Sequence, residues 1–389
     1  MKATREAVRA YLIHRLGLTG EVGGGALDLV QRLEAVQLDP VATVERNQHL
    51  VMGARLPAYR PADLEALLTS GQVFEYLANA MCVLPMEDYP LFEPVRRHYQ
   101  AVLQPALDRL GPIVAHVLER LQREGPLPAK AFETEERVAG YWDREATSKA
   151  TSHALNVLLD AGLIMVARRN GAERHFDLPE RVVPARLREP VEDADARRFD
   201  KYLRAVRIVD AADPRLGWMH APPRGPGQQR TVPIVERRRQ VEERVRTGQL
   251  VPLEIEGMAR TYYMLADDRL DAGAGGSALR FLPPLDNLLW SRQRLHDLFE
   301  FDYTWEVYTP ASKRRFGHYT MPILKGDRLI GRIDPRLDRK TATLVVNLLH
   351  LERGVRPTKT LNVAIEAFAH RLGARAVVMA AGDTAGTLR

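Results

Sequence analysis

The chain has 389 residues, 45% of them apolar and 27% charged, which is the composition of a folded protein too long for one ordinary core; two to four modules are expected. Lys and Arg number 56 against 50 Asp and Glu, and a pI of about 9.4 is basic without being histone-like. No run of residues approaches a membrane span, Met1 to Leu18 lacks the apolar stretch of a secretory leader, and the single Cys82 allows no internal disulfide, so a cytoplasmic protein is expected.

In chain order, residues 4–16 place Ala7, Val8, Tyr11, Leu12 and Leu16 on one helical stripe. Gly23-Gly24-Gly25 breaks the pattern, and 26–37 repeat it, the outline of a helix-turn-helix start. Pro40 disfavours helix at the residue before it, so the helix should stop near Gln37 and leave Asp39 extended. In extended chain, residues two apart share a face, which would aim the Gln37 amide and the Asp39 carboxylate at one point while Leu38 turns into the core. Such a pair can hold a water or face a developing cation; the same residues can also be a polar helix end before a proline stop. From Asp63 to Leu84 the apolar pattern again reads as helical, with Cys82 as a buried small hydrophobe. Pro85, Pro90, Pro94 and Pro105 then read as a punctuated connection.

The second unit starts near Gly111. Helices are expected over Ile113–Arg123, after Pro128, and over Thr147–Asp160, with a stop at Gly162. Asn170-Gly171 between two strand-like runs is a strong hairpin signal, because both turn residues must tolerate positive φ. Three helices and a two-stranded wing make a winged helix, whose Arg168, Arg169 and Arg174 would meet a phosphate backbone or form a solvated tip.

A third unit repeats this plan less clearly. Residues 195–210 and 231–247 read as helices, the latter carrying Arg237, Arg238, Arg239, Arg244 and Arg246, and 250–265 read as a hairpin about Glu256-Gly257. Between them, Pro214–Gln229 reads as a mobile loop whose Trp218, His220 and Arg224 could order on a ligand. After Gly273–Gly276, an antiparallel meander is expected from Trp305–Tyr308, His318–Leu324, Arg328–Ile333 and Ala342–Leu349, with a turn at Gly326-Asp327 and a covering helix over 360–372. Lys313-Arg314-Arg315 lies in its longest connection, either as a probe for nucleic acid or as a solvated loop.

Winged units, basic charge and arginine-rich tips favour duplex DNA as the partner. The 11 histidines are scattered with no metal-ligand spacing, Gly23–Gly25 lacks the Lys-Ser/Thr of a phosphate loop, and no lysine sits in an apolar pocket pattern. Neither metal nor cofactor is therefore expected.

A set of ordered motifs is more specific: Val36-Gln37-Leu38-Asp39-Pro40-Val41, Phe74-Glu75-Tyr76, Phe176 to Val182, Pro284 to Trp290, Phe301-Asp302-Tyr303, Tyr308-Thr309-Pro310, Lys313-Arg314 and Gly331-Arg332-Ile333-Asp334. With these the chain resembles the winged-helix DNA glycosylases of crosslink repair, the YcaQ- and AlkZ-like family. The resemblance implies an α+β fold of three tandem winged-helix units, over 1–110, 111–190 and 191–277, with a C-terminal β-rich part over 278–389 and a basic concave surface for DNA. It also implies Gln37 and Asp39 as catalytic residues of the Gln-x-Asp branch; Arg168, Arg169 and Arg174 at the hairpin and Lys313, Arg314 and Arg315 on the meander loop are the candidate DNA contacts read from the residues themselves. The expected activity is monofunctional excision of N-alkylated purines and unhooking of interstrand crosslinks, in base excision repair, by a monomer at the nucleoid. Asn79 departs from the branch, which carries His there; an amide can donate a hydrogen bond but cannot carry a proton. The alternative is a non-catalytic winged-helix DNA binder or regulator, which would read an undamaged sequence as a dimer.

Overall fold

The computed structural model describes residues 1–20, 23–132, 137–138, 148–213, 216–218, 234–270 and 278–380. Strand β1 (Lys2–Ala3) and helix α1 (Arg5–Arg15) begin the chain, and Thr4 caps α1 by accepting from the Ala7 N–H. Helix α2 (Ala26–Leu33) buries Leu29, Val30 and Leu33 but ends four residues earlier than the apolar pattern suggests. Glu34 adopts φ 64° and its carboxylate meets the buried Lys201, 2.6 Å away, and Arg204. Beyond it, Val36 and Gln37 form β2, so tertiary pairing overrides helix propensity here.

Helices α3 (Asn47–Gly53) and α4 (Pro61–Thr69) follow. The expected helix over Asp63–Leu84 is a helix for its first third only; the remainder is a hairpin of β3 (Val73–Leu77) and β4 (Met81–Pro85). Its strands are buried on both faces, so they lack the alternation that separates a strand from a buried helix. The sheet order is β2-β4-β3. The supposed proline-punctuated connection is a 3-10 stretch over Met86–Phe92 and then the 17-residue helix α5 (Glu93–Arg109). Pro94 lies in the first turn of α5, where a missing N–H is harmless, and Pro105 is carried within the helix.

In the second unit α6 (Gly111–Glu124) precedes β5 (Leu127–Pro128), and β6 (Arg137–Val138) pairs with β7 (Ser148–Lys149) ahead of α7 (Ala150–Asp160). The helix expected after Pro128 falls mostly outside the described residues; Ala129–Phe132 is a 3-10 turn. β8 (Met165–Asn170) and β9 (Glu173–Asp177) form the expected hairpin, Asn170 opposite Glu173, with Gly171 at φ 56°. A short α8 (Pro179–Val182) follows. The third unit holds α9 (Ala194–Val206), β10 (Ile208–Val209), α10 (Ile234–Arg246) and the hairpin of β11 (Leu250–Ile255) and β12 (Thr261–Leu265). Its sheet runs β1-β11-β12-β10, so the first strand of the chain completes a sheet more than 200 residues away in sequence. His220, Arg224 and Gly273–Gly276 lie outside the described residues. Trp218, by contrast, is core: 3% exposed and stacked on Phe92 at 6.2 Å.

The C-terminal sheet runs β13 (Leu279–Phe281), β14 (Met321–Lys325), β15 (Arg328–Asp338), β16 (Thr343–Leu351) and β17 (Ala376–Met379), with helix α11 (Arg292–Phe299) after the first strand. The first four strands are antiparallel, as the meander requires; β17 is parallel to β16 after the crossover helix α12 (Lys359–Arg371). Trp305–Tyr308 is not a strand, because Glu306 leads a 3-10 turn there.

Two hydrophobic cores result. The larger lies among the sheets ahead of β13 and includes Val36; the smaller, under the C-terminal sheet, includes Val44, Leu50, Phe281, Ile333 and Phe368. Across their junction Arg55 and Asp286, both with fully buried side chains, make a two-pronged ion pair at 2.7 and 3.0 Å. Arg55 also donates to the carbonyls of Leu16 and Val51, and Asp286 caps the turn at Leu288. Removing one partner leaves a buried charge uncompensated, so Asp286→Ala should destabilise the protein by about 3–5 kcal/mol in chemical denaturation. A change below about 1 kcal/mol would show that the pair carries no such burden.

Candidate active site

The segment from Leu33 to Val44 passes from one core to the other and is held along its length. Asn287 donates to the carbonyls of Leu33 and Ala35 at 3.1 and 3.2 Å. Val36 and Gln37 pair with Val83 and Cys82, and the Leu38 N–H donates to the Met81 carbonyl at 2.8 Å. Asn47, 1% exposed, donates to the Gln37 carbonyl at 2.8 Å while its own side-chain oxygen accepts from the Leu285 N–H. Past Pro40, Thr43 accepts from the Leu337 N–H at 3.0 Å and Val44 from Arg339 at 3.0 Å. The Asn of Pro284–Trp290 thus acts on the backbone just ahead of Gln37, which gives that motif a physical role.

Asp39 is half-buried, and its Oδ1 accepts from the Val41 N–H at 2.8 Å, closing a tight turn over Pro40. Burial raises its pKa above the ordinary aspartate value, and the Val41 bond only partly offsets that. Gln37 is buried, and its Oε1 accepts from Asn79 Nδ2 at 3.0 Å. With the amide oxygen engaged, the free donor of Gln37 is its Nε2. Asn79, at the tip of the β3–β4 hairpin, is therefore the direct partner of Gln37. Leu38 packs against the larger core as expected, but part of it also lines the cleft.

That cleft, of about 480 Å³, is lined by Leu38, Asp39, Pro40, Arg46, Gln48, Met81, Arg169, Ala172 and Arg174. Its far wall is the β8–β9 hairpin, which is docked, not free. Arg169 forks onto the carboxylate of Glu75, which is 2% exposed. Arg46 donates to the Gly171 carbonyl at 2.9 Å, and the Gly171 N–H donates to Glu65 at 3.1 Å. In Phe74-Glu75-Tyr76, Glu75 holds the hairpin, Tyr76 donates to the Asp160 carbonyl at 2.7 Å, and Phe74 is core. Arg174 lies over the Phe176 ring at 5.1 Å and donates to Asn156.

The structure therefore brings Asp39, Arg169 and Arg174 to one cleft. Arg168 is exposed and lines a separate cavity with Asp177 and Arg181. Lys313, Arg314 and Arg315 lie on the loop ahead of β14; Arg314 donates to the Thr309 carbonyl at 2.8 Å, and Arg315 covers Phe316. Of the arginines on α10, Arg237 and Arg244 turn inward, Arg244 onto Asp200 at 2.7 Å. Sequence reasoning missed Arg46 and Gln48. Gln48 is 3% exposed and its Oε1 has no hydrogen-bond partner among the described residues. The unbroken polar run Arg46-Asn47-Gln48-His49 ahead of an apolar helix was the available signal. His49 is neutral at physiological pH: burial pushes its pKa down to about 4, and Nδ1 lies 2.7 Å from the Tyr59 hydroxyl.

Chemically the cleft offers a carboxylate and a cationic rim; Gln37, buried on β2, does not line it, and no cluster of metal-ligating side chains occurs among the described residues. Such a site can stabilise a positive sugar next to a phosphate backbone, the requirement of N-glycosyl bond cleavage in DNA. The chain belongs to the DNA glycosylase AlkZ-like family, whose model matches residues 30–375: it is a DNA glycosylase, an enzyme of DNA repair. Among solved structures it is similar to the Streptomyces sahachiroi DNA glycosylase AlkZ, with 18% identity, a TM-score of 0.63 and coverage of 98% of this chain and 100% of that one, a likeness of fold.

Asn79→Ala should cost no more than about 1.5 kcal/mol of stability, the worth of one part-buried hydrogen bond, yet lower the excision rate by freeing Gln37. Asn79→His, which keeps a donor, should restore most of it. An unchanged rate for the alanine variant in single-turnover excision would separate Asn79 from the chemistry.

Proposed function

We propose that this glycosylase is monofunctional and hydrolyses the N-glycosidic bond of purines alkylated at guanine N7 or adenine N3, unhooking interstrand crosslinks and leaving an intact abasic site. The observation that supports the reading best is the half-buried Asp39 carboxylate at a cleft rimmed by Arg46, Arg169 and Arg174. In this reading Gln37 and Asp39 are the catalytic residues. Arg168, Arg174, Lys313, Arg314 and Arg315 meet phosphates, and Arg169 chiefly fixes the hairpin that presents them. The protein acts as a monomer on duplex DNA at the nucleoid, through three winged-helix units that form a basic concave surface.

The substrate dictates the mechanism. An N7- or N3-alkylated purine is cationic and leaves readily, so the demand falls on the sugar and the water. Ionised Asp39 opposes the positive charge that develops at C1′. Gln37 Nε2 donates to the oxygen of a water, and Asp39 accepts a proton from it as the oxygen bonds to C1′. The C1′–N pair leaves with the base. No lysine among the described residues lines the cleft; Lys201, whose side chain is fully buried, is bound to Glu34 and Asp88 at 2.6 and 2.5 Å. A Schiff base, and with it strand cleavage, is therefore not part of the scheme. A crosslinked base is tethered to the opposite strand and cannot swing into a deep pocket, which suits attack at the sugar in an open cleft.

The test is release of 7-methylguanine from a duplex and unhooking of a defined crosslink, each without strand breakage. Asp39→Asn should lower the rate about 10²- to 10⁴-fold. Because Asp39 must be ionised and burial raises its pKa, the rate should climb with pH along an acid limb lying above the ordinary aspartate value. That limb should vanish in the Asn variant. Full activity of Asp39→Asn or of Gln37→Ala would remove the pair from the mechanism.

A further inference from the structure

The 3-10 turn Glu306–Tyr308 has two ends in opposite environments. Glu306 is buried and accepts from the N–H groups of Arg315, Phe316 and Gly317 at 2.8, 2.8 and 3.0 Å. Burial opposes its ionised form, but these donors and Arg314 outweigh it, and its pKa falls below the ordinary glutamate value. Asp334 fastens the other side of the loop, accepting from the Tyr319 N–H at 2.8 Å, and a Cβ on Gly317 would lie 2.2 Å from its carboxylate. Two buried carboxylates therefore fix the loop that carries Lys313, Arg314 and Arg315.

At the other end Tyr308 is 87% exposed, more than any other large apolar or aromatic side chain among the described residues. Its one aromatic neighbour among the described residues is Trp305, edge-on at 6.2 Å, and Trp305 meets Tyr319 at 6.1 Å. The charge of Asp39 acts in turn on the Tyr319 phenol. Trp305 and Tyr319 also share the smaller core with Val41, two residues past Asp39, so the loop that carries Tyr308 is packed against the segment that presents the carboxylate. One exposed aromatic is ordinary on a protein surface. Here it stands on a preformed loop beside Lys313 and Arg315, which are exposed and have no acidic partner among the described residues.

We infer that Tyr308 is a base-stacking residue of the DNA interface, its ring packing on a nucleobase beside the lesion while Lys313 and Arg315 neutralise the flanking phosphates. The inference rests on duplex DNA being the substrate. The cations select a polyanion, a fixed aromatic ring beside them can wedge onto the face of a base as the step next to it unstacks, and the prefixed loop lowers the ordering cost of binding.

The experiment uses the full chain and a duplex with one 7-methylguanine and 2-aminopurine as its neighbour. Tyr308→Ala should weaken binding about tenfold and abolish the change in 2-aminopurine fluorescence, whereas Tyr308→Phe keeps both. The slope of log affinity against log salt should stay unchanged in Tyr308→Ala and fall by about 0.9 in Lys313→Ala, since only the latter loses a phosphate contact. Thermal midpoints should match wild type, because the ring is solvent-exposed. If wild type excises the base and Tyr308→Ala binds and quenches as wild type does, the stacking role is overturned. If wild type releases no alkylated base, the substrate reading fails instead.

Discussion

The passage of residues 33–44 from one hydrophobic core to the other is the constraint on which the site depends. Val36 is buried in the first core and Val44 in the second, so the seven residues between them, Gln37 and Asp39 included, span a gap whose ends are both fixed. Asn287 and Asn47 hold the backbone on the near side, and Leu337 and Arg339 hold it on the far side. The proposed catalytic pair would have to be held to within a fraction of an ångström, and packed elements do this better than a loop alone. Asp286, which pairs with Arg55, and Asn287, which anchors the strand, are neighbours in sequence, so core stability and site geometry are tied to one turn.

The same economy governs the basic residues. Several arginines that a charge count would assign to DNA have internal partners: Arg169 holds Glu75, Arg244 holds Asp200, and Arg237 donates to the carbonyl of Asp213. The hairpin wall is rigid because Arg169, Arg46 and Glu65 fasten it to the first unit, which fixes the width of the cleft before any substrate arrives. Exposed cations without an acidic partner among the described residues include Lys313 and Arg315 on the loop ahead of β14, and others elsewhere on the surface such as Arg238 and Arg356. Exposed Lys313 and Arg315 on that loop stand above two buried carboxylates, an arrangement in which acidic residues shape a basic surface.

Much of this was legible from sequence where the determinants are local. The Asn170-Gly171 hairpin, the turn at Gly326-Asp327 and helices α1, α6, α9 and α12 follow from turn chemistry and apolar spacing. The β3–β4 hairpin was not, because strands buried on both faces carry no alternation, and its tip, Ala78-Asn79-Ala80, lacks a strong turn signal. The early end of α2 depends on Glu34 meeting Lys201, a partner 167 residues away. In the site, Gln37 and Asp39 stood out through Pro40 and their spacing. The engagement of Gln37 by Asn79 could not be foreseen, since it depends on how the second hairpin packs beside β2. What looked like a loss, Asn in place of His, is a specific donor to the amide oxygen.

In the proposed mechanism Asn79 acts through Gln37, since only an oriented Gln37 donates to the water. A double-mutant cycle of Gln37→Ala and Asn79→Ala on single-turnover release of 7-methylguanine measures this directly. With Asn79 acting through Gln37, the double variant should be no slower than Gln37→Ala alone, a coupling of about 0.5–3 kcal/mol. Independent, multiplying losses would contradict it.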